Sequence, residues 1–221
     1  MEAYLGISTD KLLTAGAETI YMVCISLFIG ALIAFPLAIL LYLTRKNGMY
    51  QNRFVNGILN IIINVIRSTP FIIMLVCVMP LTKVLVGTRI GTKAALVPLT
   101  IYIAPYLARL MEGALLETKY GIIEAAEAMG ATPVQIVWHF ILPESLGSLI
   151  LTITTGTIGL IGATAMAGYI GGGGIGNIAL TYGYQQFNNR LMFFTVLILI
   201  IVVQLIQNLG TWASAKIKRA R

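Results

Sequence analysis

The stretch that decides the fold is residues 19–43, TIYMVCISLFIGALIAFPLAILLYL, which contains no charged side chain. A helix rises about 1.5 Å per residue, so about 20 apolar residues cross the hydrocarbon core of a bilayer. Four further stretches have a similar character, at 57–81, 94–110, 149–170 and 191–212. The sequence therefore predicts an all-α membrane protein with five transmembrane helices in a single transmembrane domain, residues 1–221.

The composition excludes an ordinary water-soluble domain. Of the 221 residues, 58% are hydrophobic and 10% are charged, whereas soluble proteins carry about 25% charged residues. The net charge of +7 is spread over short connectors and the tail at 216–221, which suits anionic lipid headgroups better than nucleic acid. The two cysteines lie in apolar runs without metal-ligand spacing. We expect contact with membrane lipid, and no metal, cofactor, nucleic-acid partner or cleavable signal peptide.

The distribution of Lys and Arg predicts the orientation. Five spans place the two termini on opposite sides of the membrane. In that topology nine basic residues fall on one side and five on the other, with Arg67 inside a span. The cytoplasmic side of a membrane protein carries the excess of Lys and Arg. The N-terminus is therefore expected outside and the C-terminus in the cytoplasm.

One connector, residues 111–147, is amphipathic and too polar to span. Ordinary links between neighbouring helices have about 2–8 residues, so a long connector is usually functional. Good helix formers at 124–129 precede Gly130, which suits a left-handed helix end. Thr132 then suits an N-cap and Pro133 the first turn of a second helix, with another stop expected at Pro143. The pattern predicts two short cytoplasmic helices joined by a tight corner.

The first of these short helices has two possible roles. Glu124 and Glu127 share one side. An apolar surface on another side is predicted from Ile122, Ile123, Ala126 and Met129. Such a surface with small residues could dock into a groove of a partner. The alternative is a helix lying on the membrane, but interfacial helices favour Lys and Arg over acids. Docking is favoured.

This connector carries a specific family resemblance. Glu124-Ala125-Ala126, three residues, Gly130, nine residues and then 140–143, FILP, resemble the "EAA" loop of bacterial ABC importer permeases, which has Ile in place of Phe140. The resemblance implies a homodimeric type I ABC importer permease in the bacterial cytoplasmic (inner) membrane. Its loop would be a coupling helix inserted into the ATPase. The residues implied in ATPase coupling are Tyr120, Ile123, Glu124, Ala125, Ala126, Met129, Gly130, Leu142 and Pro143.

A glycine-rich run resembles one branch of that family. Residues 163–177, ATAMAGYIGGGGIGN, look like the methionine-uptake branch, as do 182–187, YGYQQF, and 67–71, RSTPF. The resemblance covers nearly the whole chain. It implies import of methionine, in the L and also the D form, by alternating access. The implied partners are a second copy of this chain, two copies of a cytoplasmic ABC ATPase and a periplasmic or lipid-anchored methionine-binding protein. A permease for another amino acid is the alternative.

The sequence shows no catalytic motif. Gly171, Gly173 and Gly176 match G-x-G-x-x-G, but they follow a membrane span and no acid occurs at 190–200. A flexible or close-packed turn at the outer mouth is the better interpretation. No G-x-x-x-x-G-K-[ST] loop occurs, so ATP hydrolysis is expected on a separate subunit and the chain is not expected to be an enzyme. The rival class, a stand-alone secondary transporter or channel, would favour intramembrane carboxylates and an inverted repeat.

Three residues are candidates for the gate or pathway: Met166, Gly162 and Arg67. The fourth span is rich in Gly and Ala, which either pack within one subunit or line a path at a two-fold axis. Met166 is either filler there or a flexible gate. An Arg inside a span costs about 2.5–3.5 kcal/mol on insertion scales. For Arg67 a structural anchor is favoured over contact with substrate.

Overall fold

A computed structural model describes residues 6–219 of the chain, and within that range the regular structure is helical without a strand. Glu2 and the last basic residue of the tail, Arg221, lie outside the described residues. The helices are α1 Thr9–Thr44, α2 Arg53–Ser68, α3 Phe71–Cys77, α4 Met79–Val86, α5 Thr92–Leu116, α6 Tyr120–Ala128, α7 Pro133–Ile170, α8 Ile175–Ile178 and α9 Asn189–Arg219.

Helix α1 extends well beyond the apolar stretch that predicted it. The Ser8 hydroxyl accepts a hydrogen bond from the Lys11 N–H at 3.3 Å, and Asp10 lies in the first turn. A polar N-cap and an acid near a helix N-terminus both stabilise it. The helix therefore begins at Thr9, in a polar segment that an apolar window does not include.

The stretch predicted as the second span is broken. Helix α2 ends at Ser68 and α3 begins at Phe71, with their axes bent by 104°. Pro70 cannot donate to the carbonyl of Ile66, and a residue before proline is disfavoured in helical conformation. Thr69 accordingly adopts an extended conformation with φ −81° and ψ 123°. The interruption expected here is a complete break, and residues 57–81 are distributed over α2, α3 and α4.

Helix α5 is the centre of the bundle. Its side chains Leu99, Ile103 and Leu107 are fully buried. Gly30 of α1 packs directly on Ile103, and a Cβ added to Gly156 of α7 would lie 2.5 Å from Leu107 Cδ2. Small residues in membrane helices let backbones approach closely. Helices α1 and α7 therefore both pack closely on the Ile103–Leu107 turn of one central helix.

Within the described range, four helices are long and apolar enough to cross a membrane, namely α1, α5, α7 and α9. The bent pair of α2 and α3 provides a fifth crossing if it is counted as one broken span. These helices include the predicted stretches 94–110, 149–170 and 191–212. Helices α5 and α9 extend past their stretches at both ends, whereas α7 begins earlier, at Pro133, and ends at Ile170 as predicted.

Candidate functional site: a coupling corner and a mid-membrane cavity

The corner after α6 has the local geometry that the sequence predicted. Gly130 has a left-handed φ of +77°, a conformation that glycine adopts at little cost. The Thr132 backbone N–H donates to Gln135 Oε1 at 2.8 Å, and the Gln135 N–H donates to the Thr132 hydroxyl at 3.4 Å. This reciprocal capping box starts the next helix at Pro133. The corner is therefore fixed by its own residues.

The predicted stop at Pro143 is wrong. Helix α7 runs without a break from Pro133 to Ile170. Its residues Ile136–Ile141 form a π-helical segment directly before the proline. In a regular α-helix the ring of Pro143 would clash with the carbonyl of His139. The wider turn of the π-helical segment leaves room for that ring. Leu142 is buried and Pro143 is half-buried. The corner is thus continuous with a long membrane helix.

The structure divides the residues predicted for ATPase coupling into two groups. Ile123 is 7% exposed and Ala126 is fully buried, so both attach α6 to its own chain. The exposed members include Glu124, Ala125 and Gly130, together with Tyr120 and Met129 at 69% and 70%. The apolar side predicted to dock is therefore divided, because Ile123 and Ala126 are buried whereas Met129 lies after the helix as its C-cap and is exposed. A surface made by Tyr120, Glu124, Ala125, Glu127 and Met129 remains open.

Helix α7 presents an uncovered face. Residues three or four apart share one side of a helix. The side in question carries Thr155, Gly159, Gly162, Met166 and Tyr169. Apart from Gly162 itself, its two neighbours and the adjacent backbone of α7, no described atom lies within 4 Å of the position that a Cβ of Gly162 would take. Met166 is 42% exposed. The candidate pathway residues Gly162 and Met166 therefore lie on one surface that the described chain leaves free.

Arg67 lines a cavity next to this face. The cavity has a volume of about 380 Å³ and is formed by Asn64, Arg67, Ser68, Tyr102 and Tyr106. The Arg67 guanidinium lies 5.9 Å from the Tyr106 ring centre, and the rings of Tyr102 and Tyr106 stack at 6.0 Å. A Cβ on Gly159 would be 4.0 Å from Tyr102 Oη and from Tyr106 Cε1. The cavity and the α7 face are therefore neighbours.

A polar cluster between α2 and α5 was not predicted. Arg109 pairs with Glu112 at 2.7 Å and also donates to Asn60 and, at 3.4 Å, to Asn64. Asn60 in turn donates to the Asn56 side chain at 2.8 Å. The three asparagines, four residues apart in an apolar helix, were the signal that could have revealed it. Glu112 is engaged with an arginine, unlike the unpaired carboxylate that an ion-coupled transporter would favour.

The glycine-rich run is a close-packed turn. The Gly174 N–H donates to the Glu18 carboxylate at 2.8 Å, and the Ile175 N–H donates to the Thr19 hydroxyl at 2.9 Å. Gly173 and Gly174 have φ of +73° and +92°, values that favour glycine. A Cβ on Gly173 would collide with the Glu18 carboxylate. The run is therefore fastened to α1.

Comparison with known proteins gives consistent results. The family model described as "Binding-protein-dependent transport system inner membrane component" matches residues 26–219. The probable D-methionine transport system permease protein MetI of Vibrio cholerae is 44% identical over 207 residues, which covers 94% of this chain and 92% of the relative. The methionine import system permease protein MetP of Bacillus subtilis is 43% identical over 204 residues, covering 92% of each. A solved structure described as inward-facing conformations of the MetNI methionine ABC transporter has a TM-score of 0.90 at 43% identity, covering 96% of this chain and 99% of that chain.

Proposed function

The chain belongs to the family of binding-protein-dependent transport system inner membrane components, and we propose that it is the permease of an ATP-driven importer of methionine. Relatives named for methionine transport are more than 40% identical over most of the chain, which supports this substrate in the L and D forms. ATP hydrolysis belongs to a separate cytoplasmic subunit. An external methionine-binding protein delivers the substrate.

The observation that carries the proposal is the capped corner between α6 and α7. Its exposed side bears Glu124 and Met129, a small acidic and apolar knob suited to a groove. Its other end continues as α7, whose uncovered face carries Met166. An ATPase that holds the knob and changes shape on ATP binding would therefore move the helix that lines the path. This is the physical basis of alternating access in this chain.

Two copies of the chain form the pathway. Gly159 and Gly162 carry no side chain on the α7 face, so the backbone of a second helix can approach closely there. In a two-fold dimer the same face of each copy would meet at the axis. With the N-terminus outside and the C-terminus inside, the corner faces the cytoplasm. The basic last turn of α9, with Lys216, Lys218 and Arg219, then meets the anionic inner leaflet.

The proposal is tested in cells and with purified components. A strain that lacks its own methionine importers should take up labelled L- and D-methionine when it expresses this chain with its ATPase and binding protein. Glu124→Lys should abolish both uptake and co-purification of the ATPase. Asp10→Lys is the matched control, since it makes the same charge change at an exposed site on the opposite side. Co-purification that survives Glu124→Lys would contradict docking at the corner.

The same assembly predicts a role for Met166 as an outer gate. Met166→Ala removes a flexible thioether from the α7 face, so substrate should cross without ATP. We expect a raised leak of labelled methionine from vesicles that contain the complete complex. Met192→Ala on α9 is the control, because that side chain is half-buried on another helix. A leak equal to that of the unaltered complex would rule out the gate.

A further inference from the structure

We propose that the cavity at Arg67 is a binding site for the transported amino acid, with Arg67 holding its α-carboxylate. The stacked rings of Tyr102 and Tyr106 would hold the thioether side chain. This inference rests on the proposed function, since it assigns that function's substrate to a place in the chain. It replaces the anchoring role that the sequence favoured for Arg67.

The first argument is the charge of Arg67. A guanidinium inside a membrane protein is costly unless it is paired or faces water. Within residues 6–219, no carboxylate lies within 4.0 Å of Arg67. Its guanidinium lies 5.9 Å from the centre of the Tyr106 ring. Arg109, by contrast, has a permanent anion in Glu112 at 2.7 Å. Arg67 is therefore suited to bind the anionic group of a ligand that later dissociates.

A second copy of the chain would not supply that anion readily. It brings the same acidic residues as the first. Glu112 is already paired with Arg109, and Glu18 already accepts from the Gly174 backbone. The carboxylate of a bound amino acid is an anion of the right charge and size for this position. Arginine is the residue best shaped for it, because its planar fork can donate two parallel hydrogen bonds to one carboxylate.

The second argument is depth. Tyr102 lies ten residues from one end of α5 at Thr92, and Tyr106 lies ten residues from the other end at Leu116. At about 1.5 Å per residue, each tyrosine is about 15 Å from its end of the helix. That is half of the roughly 30 Å hydrocarbon core. A site at this depth can be reached from either side in alternation.

The third argument is the composition of the wall. The volume of about 380 Å³ is near the lower end of the usual range of about 300–1,000 Å³ for small-molecule pockets. Tyr102 stacks on Tyr106 and also meets the edge of Phe71 at 5.3 Å. Thioether sulfur makes favourable contacts with aromatic rings. Arg67 can bind the carboxylate of an amino acid, and the rings of Tyr102 and Tyr106 can contact its thioether side chain.

The fourth argument is a polar exit from the cavity. Asn64, which lines the cavity, is followed along α2 by Asn60 and Asn56. These side chains lie four residues apart and so share one side of the helix. They lead toward the end of α2 that the proposed orientation places at the cytoplasm. These asparagines already bond Arg109 and one another, so a zwitterion leaving Arg67 would exchange hydrogen bonds with a polar cluster and would not cross bare hydrocarbon.

The site is tested by photolabelling. The permease–ATPase complex in nanodiscs is irradiated with a diazirine analogue of methionine, and the labelled peptides are identified by mass spectrometry. We expect the label on the α5 segment that contains Tyr102 and Tyr106. Excess L-methionine should remove it, whereas methioninol, which lacks the carboxylate, should compete at least tenfold less well. This comparison needs no variant, so it stands even if a variant fails to assemble.

Variants then test Arg67 directly. Arg67→Met should reduce labelling of that segment at least tenfold, and Arg67→Lys should reduce it less. Arg53→Met is the matched control, since it removes an exposed arginine from the first residue of the same helix and should label fully.

Equal competition by methioninol, or label confined to other segments, would overturn the site. If the unaltered complex with its binding protein imports no methionine, the proposed function itself fails. Import without label in α5 refutes this site alone.

Discussion

The pair Arg109–Glu112 is the sharpest place to test the energetics of the fold. Glu112 is 8% exposed, and the Arg109 side chain is 27% exposed. Removing one partner of a buried ion pair costs about 3–5 kcal/mol, because the other charge stays buried. Since Arg109 is partly exposed and keeps the Asn60 oxygen, we take the lower value. Glu112→Leu and Arg109→Met should each cost about 3 kcal/mol.

The double variant distinguishes this reasoning from a general loss of packing. Replacing both charges with apolar residues removes the stranded charge and leaves only the lost hydrogen bond to Asn60, worth about 1 kcal/mol. A chain of this length shifts its unfolding midpoint by about 2–4 °C per kcal/mol. Each single variant should therefore lose about 6–12 °C, and the double variant about 2–4 °C.

The assay is the temperature at which half of the monodisperse complex is lost, read by fluorescence-detected size-exclusion chromatography after heating. Lys46→Met, at an exposed cation in the connector between α1 and α2, is the control. A surface substitution is usually within about 0.5 kcal/mol, so its midpoint should stay within about 2 °C. A double variant that loses the sum of both single losses would refute the reasoning, since the two charges would then act independently.

Three further substitutions probe close contacts. Gly210→Leu puts a side chain of α9 into Thr154 of α7, and such overpacking should cost about 1–3 kcal/mol in the same heating assay. Gly173→Ala places a Cβ at φ +73° against Glu18, so the left-handed strain alone should cost about 1–2 kcal/mol and hydrogen exchange should rise in the glycine run. Thr132→Ala removes the N-cap of α7, worth about 1 kcal/mol, and exchange should rise at the start of that helix while the glycine run is unchanged.

Local chemistry explains why the corner could be predicted. Gly130, Thr132 and Pro133 act within one or two turns of themselves, and a helix cap depends on few distant contacts. The capping glutamine, Gln135, is also three residues from its partner. A single sequence contains all of that information. The corner is therefore where the sequence and the structure agree most closely.

Two prolines show where local chemistry is insufficient. Pro70 and Pro143 both interrupt apolar helical stretches, and each was expected to disturb a helix. At Pro70 the chain turns by 104°, whereas at Pro143 it continues through a π-helical segment. Ile141 and Leu142 are buried beside Pro143, and their packing holds the helix on its course. Tertiary contacts therefore decide between a break and a bulge, and one sequence does not display them.

The polar groups in the membrane show the same limit over a longer distance. Arg109 and Asn60 are 49 residues apart in the chain, so no spacing rule joins them. The sequence did place Arg67 inside a span, but its role depends on which arginine has an acid beside it. Once Glu112 is assigned to Arg109, Arg67 is the one of these two arginines that has no described carboxylate within 4.0 Å. Our proposal for Arg67 therefore depends on a contact between Arg109 and Glu112 that the sequence did not predict.

The continuity of α7 determines how a small movement at the corner can act on the path. From Pro133 to Met166 the helix rises about 50 Å at 1.5 Å per residue, with no break in between. Because the helix is held against α5 near Gly156, a tilt of the corner end displaces the Met166 end in the opposite direction. About 35 Å of helix lies between Gly156 and the corner and about 15 Å between Gly156 and Met166, so a tilt of about 10° moves the corner end by about 6 Å and the Met166 end by about 3 Å. A stop at Pro143 would have placed a joint between the proposed ATPase contact and the proposed pathway. Because α7 is unbroken, a movement of the corner is transmitted along the helix to Met166 and is not absorbed at Pro143.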